Sequence, residues 1–407
     1  MTQEKFQEFK EFVNNNEGEA WEKAEANREK FESSYEELFA NLEIESTEEA
    51  REKAFAVIEK TLNHLENVLD LENIEPGHGI GHLSRDYIYA TILSNDKNID
   101  PKQAYIGTIA GVLHDILGCN VVNRYDEGKR VVRHGEAGGL LFQEISKNID
   151  VSEDEALLVY YAIAGHPHYL KTSTVKCADG KERETKPYMD IDEAGNPIMA
   201  MWLTRWSDRL DVNGPNFVGR HFLTLFEEHE DYGDKEGFYS IKFSDQVRPL
   251  LRNNDDIKAD PHGKTMREHF NMFATSQNNN SEFGKFDDEA MIELRDFNKE
   301  SLFKIIDAFE LKNDFSKLEG GELLKQWTNW MINNVEPTLS GKNAIEKIMK
   351  DFAKLPEETK QIWYNVIKIT LAEYDKWCQE MRRKIENLPE MPKSKLINMN
   401  VIADRKI

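Results

Sequence analysis

A chain of 407 residues can bury a substantial core and has room for two or three domains. Its net charge of −23, from 75 Asp and Glu against 52 Lys and Arg, argues against a general nucleic-acid binder. No run of about 18 apolar residues occurs, so no membrane span is expected, and 31% charged with 39% hydrophobic residues suits a soluble globular protein.

Residues 1–40 are rich in Glu, Lys and Ala and read as helix. Phe6, Phe9, Phe12 and Val13 share one face; Trp21, Ala24, Phe31, Tyr35, Leu38 and Phe39 form a second stripe. The start lacks the apolar core of a signal peptide. Residues 1–75 carry 8 Lys and Arg against 21 Asp and Glu, more than half of the whole acidic excess. This segment holds no candidate site residue, so loss of residues 1–40 is expected to leave metal binding intact.

Ser46 with Glu49 has the form of a capping box for a helix running to about Leu69. Glu75-Pro76-Gly77 breaks the chain. Helices are then expected at about 80–95, 101–117, 134–148 and 153–165. Asp100 suits the cap of the second, Pro101 its first position and Gly118 its exit. Ser152 and Glu155 form another capping pair. Residues 171–199 carry turn signals and short strand-like stretches, consistent with a small β excursion, a flap or a disordered insertion. Met201 to Asp211 is helical again, and 216–407 is mainly helical with polar breaks at 253–263 and 275–287. Cys119, Cys177 and Cys378 are odd in number and far apart, which favours a reducing, cytoplasmic setting over a disulfide framework.

The chemistry concentrates between His78 and Asp208. The apolar helix Ala104 to Ile116 ends on His114-Asp115. A carboxylate at the buried end of such a helix is costly unless paired. A metal is a plausible partner where histidines gather. His82 opens the preceding helix, His134 begins the following one, His166 and His168 close the next, and Asp208 lies in Ser207-Asp208-Arg209-Leu210-Asp211.

The ordered set His82, His114-Asp115 and Asp208, each near a helix end, resembles the HD-domain superfamily over residues 76 to 215, about a third of the chain. The resemblance implies a mainly α fold: an HD-type helical bundle with a small β insertion and flanking helical segments. Three regions are expected: an acidic helical segment 1–75, a metal-binding core 76–215 with insertion 171–199, and a helical region 216–407. It also implies one or two divalent transition ions, drawn from Mn, Fe, Co, Ni or Zn. One ion would take His82, His114, Asp115 and Asp208; a second would take Asp115, His134 and His166, with Asp115 the catalytic bridge. His168 could replace His166 or touch substrate, and His78, four residues before His82, could share its face.

The implied activity is metal-dependent hydrolysis of a nucleotide or other small phosphate ester. Arg85, three residues after His82, and Arg209, after Asp208, are the cations expected to face phosphate; Arg133 and Lys171 flank other motif residues. Glu136 is either a base or second-sphere partner, or an ordinary first-turn carboxylate. Ile116 is followed by Leu117, Gly118 and Cys119, unlike the Gly and Lys common in cyclic-dinucleotide enzymes of this superfamily. Two other readings stand. Four His and two Asp match the composition of di-iron oxygenases resembling myo-inositol oxygenase, and a regulatory binding protein could keep a vestigial site. No Walker loop, nucleophile elbow or Cys-x-x-Cys pair competes.

Overall fold

The computed structural model describes residues 1–15, 17–69, 77–95, 99–122, 127–167, 174–176, 182–184, 187–220, 223, 289–308, 320–335, 341–386, 392–397 and 399–402. The fold is mainly α. Two compact units divide the chain: residues 1–208 with 388–399, and residues 209–387 with 400–407. Residues 1–75 therefore belong to the same unit as the helices that carry the motif. No described helix is long and apolar enough to cross a membrane.

In the first unit, α1 (Gln3–Asn15) buries Phe6, Phe9 and Val13. The next helix, α2 (Glu17–Ala40), buries the stripe Trp21, Ala24, Phe31, Leu38 and Phe39. It kinks at Ser34, whose hydroxyl donates to the Lys30 carbonyl at 2.6 Å and competes with the backbone ladder. Ser46 caps α3 (Thr47–Leu65) by accepting from Glu49 N at 3.2 Å. The Glu49 carboxylate reaches back to Glu45 N, one residue upstream of the expected partner.

The centre of the unit is α5 (Pro101–Gly118). Asp100 accepts from Lys102 N at 2.8 Å and Gln103 N at 3.3 Å, and Pro101 fills the first turn. Every residue from Ala104 to Gly118 is buried, because α3, α4 (Ile80–Ser94), α6 (Glu127–Ser146) and α7 (Glu153–Ala164) all pack on it. Gly118 serves a purpose other than a left-handed exit: Cys119 caps the helix in the right-handed region. A Cβ at Gly118 would stand 2.1 Å from the His134 carbonyl, so glycine lets α5 and α6 meet backbone to backbone.

The α6 helix starts seven residues before the expected His134. The run Glu127-Gly128-Lys129-Arg130 carries no apolar periodicity, which hid this first stretch. His134 is therefore in mid-helix, and Glu136 is no first-turn carboxylate. Ser152 and Glu155 cap α7 reciprocally, at 3.2 and 2.8 Å.

Between α7 and α8 (Met199–Val212) lie two short antiparallel strands, β1 (Thr174–Lys176) and β2 (Glu182–Glu184), with Val175 opposite Arg183. The Ala178-Asp179-Gly180-Lys181 turn signal falls outside the described residues. The Glu193 to Pro197 turn is closed by Asp192, which accepts from Asn196 N at 2.7 Å. Residues 187–190 are tied down. Tyr161 accepts from Met189 N, and Arg205 Nη1 donates to Asp190 Oδ2 at 2.7 Å.

The second unit includes α9 (Glu289–Ala308), α10 (Gly320–Trp330), α11 (Gly341–Ala353) and α12 (Glu357–Glu386). Its core is aromatic: Trp327, Trp330, Trp363, Tyr374 and Trp377 are buried and in ring contact along α10 and α12. Trp377 Nε1 donates to Asn298 Oδ1 at 2.7 Å, and Asn298 Nδ2 to the Leu210 carbonyl at 2.8 Å, so both ends of the buried Asn298 amide are satisfied. The expected breaks at 253–263 and 275–287 lie outside the described residues.

Candidate metal centre

Four helices and one helix end deliver the candidate ligands. His82 comes from the first turn of α4, His114 and Asp115 from the last turn of α5, His134 from the middle of α6, His166 from just beyond α7, and Asp208 from α8. All six are buried. One ligand atom from each of His82, His114, Asp115 and Asp208 lies within 4.8 Å of the others, and the same holds for Asp115, His134 and His166.

Asp115 faces both groups, one oxygen to each. Its Oδ2 lies 3.3 Å from His82 Nε2 and 3.3 Å from His114 Nε2. Its Oδ1 lies 3.4 Å from His134 Nε2 and 3.6 Å from His166 Nε2. Asp208 Oδ1 completes the first group, 3.8 Å from His82 Nε2 and 3.9 Å from His114 Nε2.

The backbone orients two of the rings. His114 Nδ1 donates to the Gly111 carbonyl at 2.9 Å, and His166 Nδ1 donates to the Ile163 carbonyl at 2.6 Å. A carbonyl only accepts, so each bond assigns the proton to Nδ1 and turns Nε2 into the site. Arg205 fixes the end of α7: its Nε and Nη2 donate to the Gly165 carbonyl at 3.1 and 2.8 Å. Gly135 brings α6 against the same end, since a Cβ there would stand 2.8 Å from the Ile163 carbonyl and 3.2 Å from His166 Nδ1.

The carboxylates set the electrostatics of the site. Burial alone would lower the basicity of His114, but the Asp115, Asp208 and Asp86 carboxylates push its pKa up to about 10. Burial would raise Asp115; the His114, His78 and His134 side chains outweigh it and hold the carboxyl well below the usual range. Burial, with His114 beside it, drives His166 down to about 3. The carboxylates thus favour positive charge in this corner, carried either by a proton on His114 or by a metal ion held by the imidazoles. His114 Nε2 is buried and makes no hydrogen bond of good geometry, as expected of a ligand atom. The donor set fits a transition ion, and these buried His and Asp groups can hold one.

The remaining candidates fall elsewhere. Arg85 is fully buried on α4, and Arg209 is buried on α8 next to Asp208. His168 and Lys171 lie outside the described residues. His78, in the turn before α4, is the more open neighbour, 3.7 Å from Asp115 Oδ2 and 27% exposed at the side chain.

Sequence reasoning missed Asp86 and the partner of Glu136. Asp86 is fully buried with Oδ2 3.1 Å from His82 Nε2; the i, i+4 spacing of His82 and Asp86 was the available signal. Glu136 accepts from the Tyr188 hydroxyl at 2.9 Å, and Tyr188 meets the Tyr160 hydroxyl at 3.3 Å. Burial pushes the Glu136 carboxyl up to about 8, against the pull of Arg133 and Tyr188. Nothing local in the sequence pairs positions 136 and 188.

No protein-family model matches the chain, and comparison with curated proteins and with solved structures finds none similar to it.

Proposed function

We propose that the chain is a metal-dependent phosphohydrolase of the HD type, acting on a nucleotide or another small phosphate ester. The observation that carries the reading is the two-sided Asp115, with His82 and His114 on one oxygen and His134 and His166 on the other. His82, His114, Asp115 and Asp208 would hold one divalent transition ion, and Asp115, His134 and His166 a second. Mn, Fe, Co, Ni and Zn all suit mixed imidazole and carboxylate donors. Two such ions supply a water of lowered pKa and offset charge developing on phosphoryl oxygens.

The protein's own residues then have separate tasks. The Gly111 and Ile163 carbonyls hold the His114 and His166 rings in the ligating orientation. Asp115, kept ionised, spans both positions. Arg209, next in sequence to Asp208, and Arg85, three residues after His82, are the cations proposed for a phosphate, though both are buried. Asp115, His134 and Asp208 each keep about 6% of their surface open, which leaves a narrow approach for a small substrate.

A second reading has its own support. Four His and two Asp gathered in one buried cluster also suit a di-iron oxygenase. The deciding experiment is phosphate release from a panel of nucleotides and phosphate monoesters, run without oxygen on Mn- or Mg-loaded protein and with oxygen on Fe-loaded protein. Release in the anaerobic arm is the expected result. Turnover only with iron and oxygen, and no phosphate in any arm, would replace the hydrolase by the oxygenase.

A further inference from the structure

Beside the two groups, His78, Asp115 and Cys119 form a third set whose ligand atoms lie within 4.8 Å of one another. His78 Nε2 stands 3.7 Å from Asp115 Oδ2, and the Cys119 thiol 3.8 Å from Asp115 Oδ1. Ligands on one tetrahedral zinc, at about 2.0–2.3 Å from it, stand roughly 3.3–3.6 Å apart, so small rotations complete the set. Asp115 and Cys119 are one helical turn apart at the end of α5, and His78 approaches from the turn before α4. His78 is the most exposed of the three and gives the set its solvent side.

The donors differ in kind from those of the neighbouring groups. One thiol, one imidazole and one carboxylate form a softer set, which selects zinc-like ions over Mn or Mg. We infer that this edge is a separate site for one thiophilic divalent ion, held by His78, Cys119 and a shared Asp115. Ligation replaces the S–H bond of Cys119 with a sulfur–metal bond and releases its proton to solvent. Asp115 has two oxygens and both already face the other groups, so an ion here competes with them for that carboxylate. The site requires no particular reaction at its neighbours.

Cobalt reports on it directly. The full-length protein, stripped by a chelator, is titrated with Co(II), and the spectrum is followed in the near-ultraviolet, where thiolate-to-cobalt charge transfer absorbs, and in the visible, where the d–d bands lie. A charge-transfer band is expected in the wild type, absent in Cys119→Ser and kept in the Cys177→Ser/Cys378→Ser double variant. His78→Ala should weaken the cobalt concentration dependence of the band by about tenfold or more. No band in the wild type, or an unchanged band in Cys119→Ser, overturns the inference. If Cys119→Ser does not fold, the double variant decides alone, because Cys119 is then its one thiol: a retained band supports the site and a lost band removes it. A charge-transfer band complete at one cobalt per chain, with no further d–d intensity as more cobalt is added, would count against the two-ion centre and leave this site standing.

Discussion

His134 Nε2 and His166 Nε2 lie 2.9 Å apart, while His166 Nδ1 is committed to the Ile163 carbonyl. A neutral His166 then holds a lone pair on Nε2, aimed at its neighbour. Two lone pairs at that distance repel, so a proton or a cation must lie between the rings. The same reasoning applies to Asp115, whose two oxygens each meet two imidazoles.

Metal content follows from these contacts. Elemental analysis of protein expressed with Mn, Fe, Ni or Zn is expected to give one or two ions per chain. His134→Ala should lose the ion on the Oδ1 side alone, and Asp115→Ala should lose most of both. Equal occupancy in wild type and Asp115→Ala would show the ligand assignment to be wrong.

A methyl at Gly118 tests the backbone contact that sets α6. Gly118→Ala would place Cβ 2.1 Å from the His134 carbonyl, with no flexible side chain to yield. The expected cost is about 1–3 kcal/mol or more, with lowered retention of the ion near His134. Gly321→Ala is the control, since a Cβ there meets nothing within 4 Å. Denaturant midpoints compare the two; equal midpoints would refute the packing argument.

Tyr188→Phe removes the hydroxyl that Glu136 accepts from. A buried acceptor left unmet costs about 1–3 kcal/mol. Stability should fall by that amount while metal content stays at the wild-type value, because neither residue is a ligand. Chemical denaturation and elemental analysis on the same sample check both halves.

Removal of residues 1–40 is expected to destabilise the first unit, while metal binding by the folded remainder stays intact because the segment holds no candidate ligand. Phe31 stacks on Tyr161 with ring centroids 3.5 Å apart, Tyr160 donates to the Ala24 carbonyl at 3.1 Å, and Arg133 sits over the Trp21 ring. Each buried aromatic contributes about 1.5–3 kcal/mol. Thermal unfolding of the truncated chain should show a clearly lower midpoint; an unchanged midpoint would mean these contacts carry little.

Much of this architecture is legible in the sequence. Pro101, Asp100 and the Ser152-Glu155 pair announce helix starts through local chemistry, and α5, α7 and α8 run close to their expected bounds. His114 and Asp115 stand out because they end an apolar helix, and His82 and Asp208 because they complete an ordered set around that pair. What stayed hidden depends on distant partners. The role of Gly118 is defined by a carbonyl on another helix, and Tyr188 finds Glu136 across 52 positions. The first residues of α6 are charged and lack the apolar spacing by which helices are recognised. Asp86 resembles an ordinary surface carboxylate until α4 is seen to be buried on nearly every side.

The close approach at Gly135 has a bearing on ion size. Backbone touches backbone there, one residue after His134 and beside the carbonyl that holds His166. The spread of those two rings is therefore governed by main chain, which yields far less than side chains do. An ion between them must match that gap, because the gap cannot widen to match the ion. Small first-row cations with bonds of about 2.0–2.2 Å fit such a frame, whereas calcium, at about 2.3–2.6 Å with six to eight oxygens, does not.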